Sequence, residues 1–292
     1  MDNFNVYKDI QARTKGEIYI GVVGPVRTGK STFIKRFMEL AVLPAMEDES
    51  LKAVSTDELP QSAGGKTVMT MEPKFIPKEA VQITLGDGIQ AKVRLIDCVG
   101  YMVDGAAGHV ENGEERMVKT PWSEKEIPFT QAAQIGTRKV IGDHSTIGIV
   151  VTTDGSVGEL KRSAYIDAEK QTVDELKKLG KPFILLLNST KPYSDETLKL
   201  AEQLAADYGV TVLPVSCEQL KKEDIFHILE SVLKEFPVTQ LDFHIPKWLE
   251  VLPATHWLKT QVIDMARELL KKVSHMKDAA SQLKTFGGSS GP

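Results

Sequence analysis

The chain has 292 residues, of which 41% are hydrophobic and 26% charged, with a formal net charge of −4. This composition suits one large α/β domain with an appendage, and the acidic balance argues against a broad nucleic-acid-binding surface. Two distant cysteines, Cys98 and Cys217, suit a reducing cytosol, the histidines show no metal-ligand spacing, and no membrane span or signal-peptide h-region is evident.

In chain order, Glu17–Val23 reads as a buried strand. It leads into Gly24-Pro25-Val26-Arg27-Thr28-Gly29-Lys30-Ser31, which fits the P-loop pattern G-x-x-x-x-G-K-[ST]. The segment 32–40 then reads as an amphipathic helix, and that strand–loop–helix setting is what a phosphate cradle requires. An irregular polar stretch follows from Pro44 to about Pro77, with Glu47-Asp48-Glu49 read as a solvated loop. Segments 81–85 and 91–96 alternate with period two around Gly86-Asp87-Gly88, so a hairpin is expected to supply one antiparallel edge strand.

Residues 101–129 read as a long loop containing Gly105, Gly108 and Gly113. Buried-strand patterns at 147–151, 183–187 and 210–215 alternate with helical patterns at 163–179, 195–208 and 219–235. The expected fold is therefore a mostly parallel, doubly wound sheet of the P-loop NTPase kind. The alternation stops around Phe236-Pro237. A helix is then expected from about Lys259 to Lys284, with Val262, Met265, Leu269, Val273, Met276 and Leu283 as a near-heptad stripe. That stripe either packs on the nucleotide domain or serves as a partner-binding or coiled-coil element. The expected division is a nucleotide domain over 1–236, a helical appendage over 237–286 and a linker-like tail over 287–292.

The candidate chemistry starts from the loop. Gly24, Pro25, Val26, Arg27, Thr28, Gly29, Lys30, Ser31 and Thr32 form the expected phosphate cradle, chiefly through backbone N–H groups, which Pro25 lacks. Lys30 is expected on the β- and γ-phosphates and the Ser31 hydroxyl on Mg²⁺. Asp97, ending an apolar strand, is a second Mg²⁺ candidate, and Gly100 three residues later could meet the γ-phosphate through its N–H. Thr70, with Thr67 as second choice, matches a switch threonine that ligates Mg²⁺ and helps place the attacking water. Asn188-Ser189-Thr190-Lys191 stands where guanine-specific relatives carry N-K-x-D. Lys191 has only donors and cannot accept from guanine, which turns the expectation from GTP to ATP. Ser216-Cys217-Glu218 is a candidate second base loop. Tyr101 replaces the glutamine that Ras-type proteins place after the D-x-x-G glycine, so intrinsic hydrolysis is expected to be slow or to depend on assembly. Arg27 is either a phosphate or neighbouring-subunit contact, or a solvated loop residue.

Those motifs, together with Asp57-Glu58-Leu59-Pro60-Gln61-Ser62-Ala63, Met69-Thr70-Met71-Glu72-Pro73-Lys74-Phe75, Gly136-Thr137-Arg138-Lys139-Val140-Ile141 and His256-Trp257-Leu258, resemble the stage IV sporulation protein A family. The resemblance implies an ATPase related to the translation-factor class of GTPases, using Mg²⁺. It implies hydrolysis that drives self-association into a static polymer, the basement layer of the spore coat, on the outer forespore membrane surface in the mother-cell cytoplasm. By the same resemblance the partners are a small amphipathic membrane-anchor peptide and other coat proteins. The family's phosphate lysine falls on Lys30, its Mg²⁺ aspartate on Asp97 and its sensor threonine on Thr70. Met71 stands where some relatives carry a second threonine. Family chains continue into a middle domain and a C-terminal region, so 237–286 is expected to be the start of a truncated middle domain.

Overall fold

The structure, a computed structural model, describes residues 16–60, 73–84, 90–106, 110–111, 114–121 and 123–279. Contacts divide the chain into two compact units, Met1–Val232 and Leu233–Pro292.

The first unit is an α/β fold around a six-stranded sheet. Its strands are β1 (Glu17–Val23), β2 (Lys74–Thr84), β3 (Gln90–Asp97), β8 (Ile147–Thr153), β9 (Phe183–Asn188) and β10 (Val212–Val215), in the spatial order β10-β9-β8-β1-β3-β2. All neighbouring pairs are parallel except β2–β3, so the expected antiparallel edge is present. β8 and β9 are buried at every position, which is why they read as continuous apolar runs rather than alternating ones. Val150, Leu185 and Leu187 pack with Val140, Val173, Leu176 and Leu204 in one core cluster. Those helical residues come from or adjoin α3 (Phe129–Lys139), α4 (Ile166–Lys178) and α5 (Asp195–Tyr208). The alternate residues Ile149, Val151, Ile184 and Leu186 point to the opposite face by the period-two rule. α1 (Lys30–Phe37) buries Phe33, Ile34 and Phe37, and α6 (Lys222–Leu233) buries Ile225, Ile228, Leu229 and Val232. The Arg36 guanidinium donates to the Leu220 carbonyl at 2.7 Å, which ties α1 to the turn before α6.

Two stretches read as irregular contain regular structure. α2 (Glu49–Asp57) lies inside the polar segment, and Asp48, read as part of a solvated run, accepts from the N–H groups of Ser50 at 2.8 Å and Leu51 at 3.2 Å as its N-cap. Within 101–129 two short antiparallel pairs form, β4 (Val110–Glu111) with β5 (Glu114–Glu115) and β6 (Met117–Thr120) with β7 (Ser123–Pro128).

In the second unit, α7 (Lys247–Val251) precedes α8 (Trp257–Lys272). The single long helix expected to Lys284 is interrupted. Val273 is extended, and Pro237 and His275 form an antiparallel bridge. Asp278 accepts from the N–H groups of Ser274 at 3.1 Å and His275 at 2.8 Å, the reach-back of a new helix start. Val273 and Met276 are buried around this break, whereas α8 itself buries no residue, so the expected stripe is not one helix face. Residues 280–292, including Leu283 and the tail, lie outside the described residues. No helix among the described residues is long and apolar enough to cross a membrane.

Candidate active site

β1 lies between β3 and β8: the chain passes from β1 to β2 and β3 on one side, then crosses to β8, β9 and β10 on the other. Such a switch point opens a crevice at the carboxyl ends of the strands. The Gly24–Ser31 loop emerges there. Gly24 and Gly29 have φ of 132° and 98°, and both are packed so closely that a side chain would meet the Val151 carbonyl or the Asn188 amide. Half-buried Arg27 holds φ 64°, a costly left-handed conformation for a non-glycine residue. Thr28 Oγ1 donates back to the Pro25 carbonyl at 3.0 Å and closes the loop on itself. α1 then starts at Gly29 with no side-chain cap and no acidic residue in its first turn. Its first N–H groups and the positive end of its dipole are therefore available to an anion.

Lys30 is buried, 5% exposed, and its ammonium donates to the carbonyl oxygens of Pro25 at 2.6 Å and Gly24 at 3.4 Å. Burial pulls it below the ordinary lysine range, against the opposing pull of Cys98 and Asp97. Parallel pairing of β3 with β1 brings Asp97 opposite Val22, one strand away from the loop. Ser31 Oγ donates to Asp97 Oδ2 at 3.4 Å, while the buried Asp97 Oδ1 accepts no hydrogen bond among the described residues. Burial pushes the Asp97 carboxyl up to about 6, with Lys30 and the Ser31 bond acting in the opposite direction.

An orphaned carboxylate oxygen beside a hydroxyl fits Mg²⁺, which takes one or two protein oxygens and fills its shell with water and phosphate oxygens. No cluster of three or more His, Cys, Asp or Glu able to hold a metal by themselves occurs among the described residues. One carboxylate and one hydroxyl suit a cation that completes its shell with water and phosphate oxygens. Thr70 and Thr67 lie outside the described residues, as does Met71.

Gly100, at φ 92°, lies against the same lysine: a Cβ there would meet the Gly24 carbonyl and sit 2.7 Å from Lys30 Nζ. The next residue fastens the two loops together. Val26 N–H donates to the Tyr101 carbonyl at 2.9 Å, and Pro25 and Tyr101 form a parallel bridge. The Tyr101 ring is buried with Val26, Val103, Ala106, Tyr165 and Ala168. Burial, then the Glu175 carboxylate, push its phenol up to about 12, with Arg138 opposing. Its ring is a core anchor, while its buried hydroxyl makes no hydrogen bond among the described residues. Cys98 is buried as well, its thiol pushed up to about 11 chiefly by burial.

Asn188, at the end of β9, uses both ends of its amide inside the protein. Nδ2 donates to the Thr28 carbonyl at 2.9 Å, and Oδ1 accepts from Cys217 N–H at 3.0 Å. It links the Gly24–Ser31 loop to the Ser216–Glu218 loop, and Lys191, three residues on, is exposed. Sequence reasoning missed a group of hydroxyls beside it. Asp154, just after β8, accepts from Ser156 N–H at 2.9 Å and Ser156 Oγ at 2.6 Å through Oδ1, and from Thr197 Oγ1 at 3.3 Å through Oδ2. The Asp154-Gly155-Ser156 turn is a legible Asx-turn signal, but its partners Thr197 in α5 and Thr190 after β9 are not.

Residues 1–237 match the family model described as stage IV sporulation protein A, ATPase domain, and residues 238–290 match the stage IV sporulation protein A middle domain. The chain is 49% identical over 278 residues to stage IV sporulation protein A of Bacillus subtilis (strain 168) and of Bacillus anthracis, covering 95% of this chain and 56% of each relative. It is 48% identical over 284 residues to the Clostridioides difficile (strain 630) protein, covering 97% of this chain and 58% of that relative. The chain thus spans just over half the length of the curated relatives it matches.

Proposed function

Because this chain belongs to the stage IV sporulation protein A family, we propose that residues 1–236 are a P-loop ATPase domain of the GTPase-like, translation-factor class. Residues 237–286 are then the start of a middle domain, and 287–292 a linker. The change of family match after residue 237 supports that boundary. In the whole protein, ATP hydrolysis drives self-assembly of the spore-coat basement layer on the outer forespore membrane. A small amphipathic membrane-anchor peptide and other coat proteins are its partners. The family resemblance supports these last statements.

The observation that carries the ATPase reading is Lys30, an ammonium buried against the Pro25 carbonyl at a sheet switch point, beside the Ser31–Asp97 couple. Lys30 binds the β- and γ-phosphates, and the N–H groups of Thr28 to Thr32 at the start of α1 take phosphate oxygens. Ser31, Asp97 and Thr70 would hold Mg²⁺, which would supply positive charge to offset that of the phosphates. Gly100 presents its N–H to the γ-phosphate, and Thr70 helps to place the water. With the Tyr101 ring held in the core, that side chain cannot orient the water, so hydrolysis is slow and coupled to assembly. Asn188 fixes the base-side loops, and Lys191, which cannot accept from guanine, favours adenine.

Single-turnover phosphate release from ATP and GTP tests the reading in wild type and Lys30→Ala. ATP should be preferred, and Lys30→Ala should lose at least about 100-fold in rate, the scale of removing one charged transition-state donor. Equal use of GTP would favour a switch protein. Binding of ATP with no phosphate release above background would leave a scaffold that merely holds nucleotide.

A further inference from the structure

The carboxylate of Asp154 lies at the centre of a hydroxyl network that the phosphate chemistry does not use. Ser156 Oγ, which donates to Asp154, also accepts from Thr190 N–H at 2.9 Å. Thr197 Oγ1, which donates to the other carboxylate oxygen, lies 3.4 Å from Ser189 Oγ. Ser189 Oγ in turn accepts from Lys191 N–H at 3.0 Å. The two chains of bonds therefore end on the backbone of residues 190 and 191. These directly follow Asn188, whose amide joins the Thr28 carbonyl to Cys217 N–H.

We propose that Asp154 is a positioning residue for the base end of the nucleotide site, acting through Ser156, Ser189 and Thr197 on the backbone of 188–191. The inference rests on the reading of the strand ends as an ATP site. Three features make the arrangement more than a surface turn. First, the bonds connect three separate strand or helix ends: the turn after β8, the turn after β9 and the start of α5, where Ser194 Oγ caps Thr197 N–H at 3.3 Å. Second, Asp154 stays anionic. Burial raises its carboxyl, but bonds from Ser156, Ser189 and Thr197 outweigh burial and hold it below the ordinary aspartate range. Acceptance by an ionised group is about twice as strong as between neutral partners. Third, the loop so held follows Asn188, which reaches the phosphate loop directly. The bonds of the network itself end on Thr190 N–H and Lys191 N–H and not on Lys30 or Asp97, so its loss is expected to act first at the base end.

That separation gives the test. Calorimetric titration of the full chain with ATP, and with inorganic tripolyphosphate as a base-free probe, reads the two ends of the site independently. Asp154→Ala should weaken ATP binding by about tenfold or more while tripolyphosphate changes by less than about twofold. Asp154→Asn, which keeps an acceptor, should recover part of the loss. Ser156→Ala, at an exposed position that leaves the fold alone, should show the same selective loss at about threefold. ATP affinity unchanged in both alanine variants would overturn the inference, as would a parallel loss of ATP and tripolyphosphate. Failure of the wild type to bind ATP at all would instead remove the ATP-site reading beneath it.

Discussion

Replacement of Asp97 by asparagine should make the nucleotide-free protein more stable while abolishing its turnover. Burial raises this carboxyl from 3.8 to about 6. Between those values the folded state holds a proton that the unfolded state has released. Stability therefore falls as pH rises through this window, and the full cost is present at pH 7. At about 1.4 kcal/mol per pKa unit, it comes to about 3 kcal/mol. The attraction of Lys30 is already contained in that figure, since it lowers the same carboxyl. Asparagine resembles the protonated acid and removes the cost. Urea unfolding followed by far-UV circular dichroism, in chelator and without nucleotide, should place Asp97→Asn up to about 3 kcal/mol above wild type at pH 7. The gap should close below about pH 4. A variant no more stable than wild type at pH 7 would refute the reasoning, because it would mean that the Asp97–Lys30 pair outweighs its burial.

Gly100→Ala combines a strained φ of 92° with a Cβ directed at the Gly24 carbonyl and Lys30 Nζ. A loss of about 1–3 kcal/mol in thermal or urea unfolding is expected, with loss of ATP turnover; full activity in that variant would show that the two loops separate freely. Glu169 is fully buried and accepts from both Arg162 nitrogens at 2.6 and 2.7 Å and from Tyr208 Oη at 2.9 Å. Glu169→Ala should cost about 3–5 kcal/mol, the penalty of leaving a desolvated guanidinium without its partner. A urea midpoint close to wild type would show that water and the Thr152 hydroxyl and Thr153 carbonyl, which already accept from Arg162 Nη1 at 3.1 and 3.2 Å, suffice for the guanidinium.

What could be read from the sequence was whatever neighbouring residues determine. α5 carries its own signals, with Ser194 capping Thr197 and Gly209 in the left-handed conformation at its end, and its limits of 195–208 are as expected. β8 and β9 announce themselves because both faces are covered. α2 escaped notice because it buries only Ser55 and so has no apolar period to display. The break at Val273 escaped for a different reason. The apolar spacing runs straight through it, and the bridge that stops the helix comes from Pro237, far back in the chain. The site divides in the same way. Lys30, Ser31, Asp97 and Gly100 are conspicuous because each falls in a short motif with fixed local spacing. The bonds of Asn188 to Thr28 span 160 residues and those of Asp154 to Thr197 span 43, and no local pattern encodes them.

Three costly features of the first unit gather at one place. A left-handed arginine, a lysine ammonium held by carbonyls and a carboxylate oxygen with no donor among the described residues all lie at the carboxyl end of β1 and β3. Each alone costs on the order of 1–3 kcal/mol, a large fraction of the stability of an ordinary domain. They persist because the surrounding structure over-determines them. β1 is buried from Ile20 to Val23 and β3 at Leu95 and Ile96, Asn188 and Tyr101 each fix the loop from a different neighbour, and the Tyr101 ring is enclosed in its own apolar cluster. Neither anchor contributes charge to the crevice, since the Asn188 amide is neutral and the Tyr101 contact is through its backbone carbonyl. The loop is thereby rigidified from behind while its electrostatic demand stays unmet in front, a preorganised arrangement for an anionic ligand.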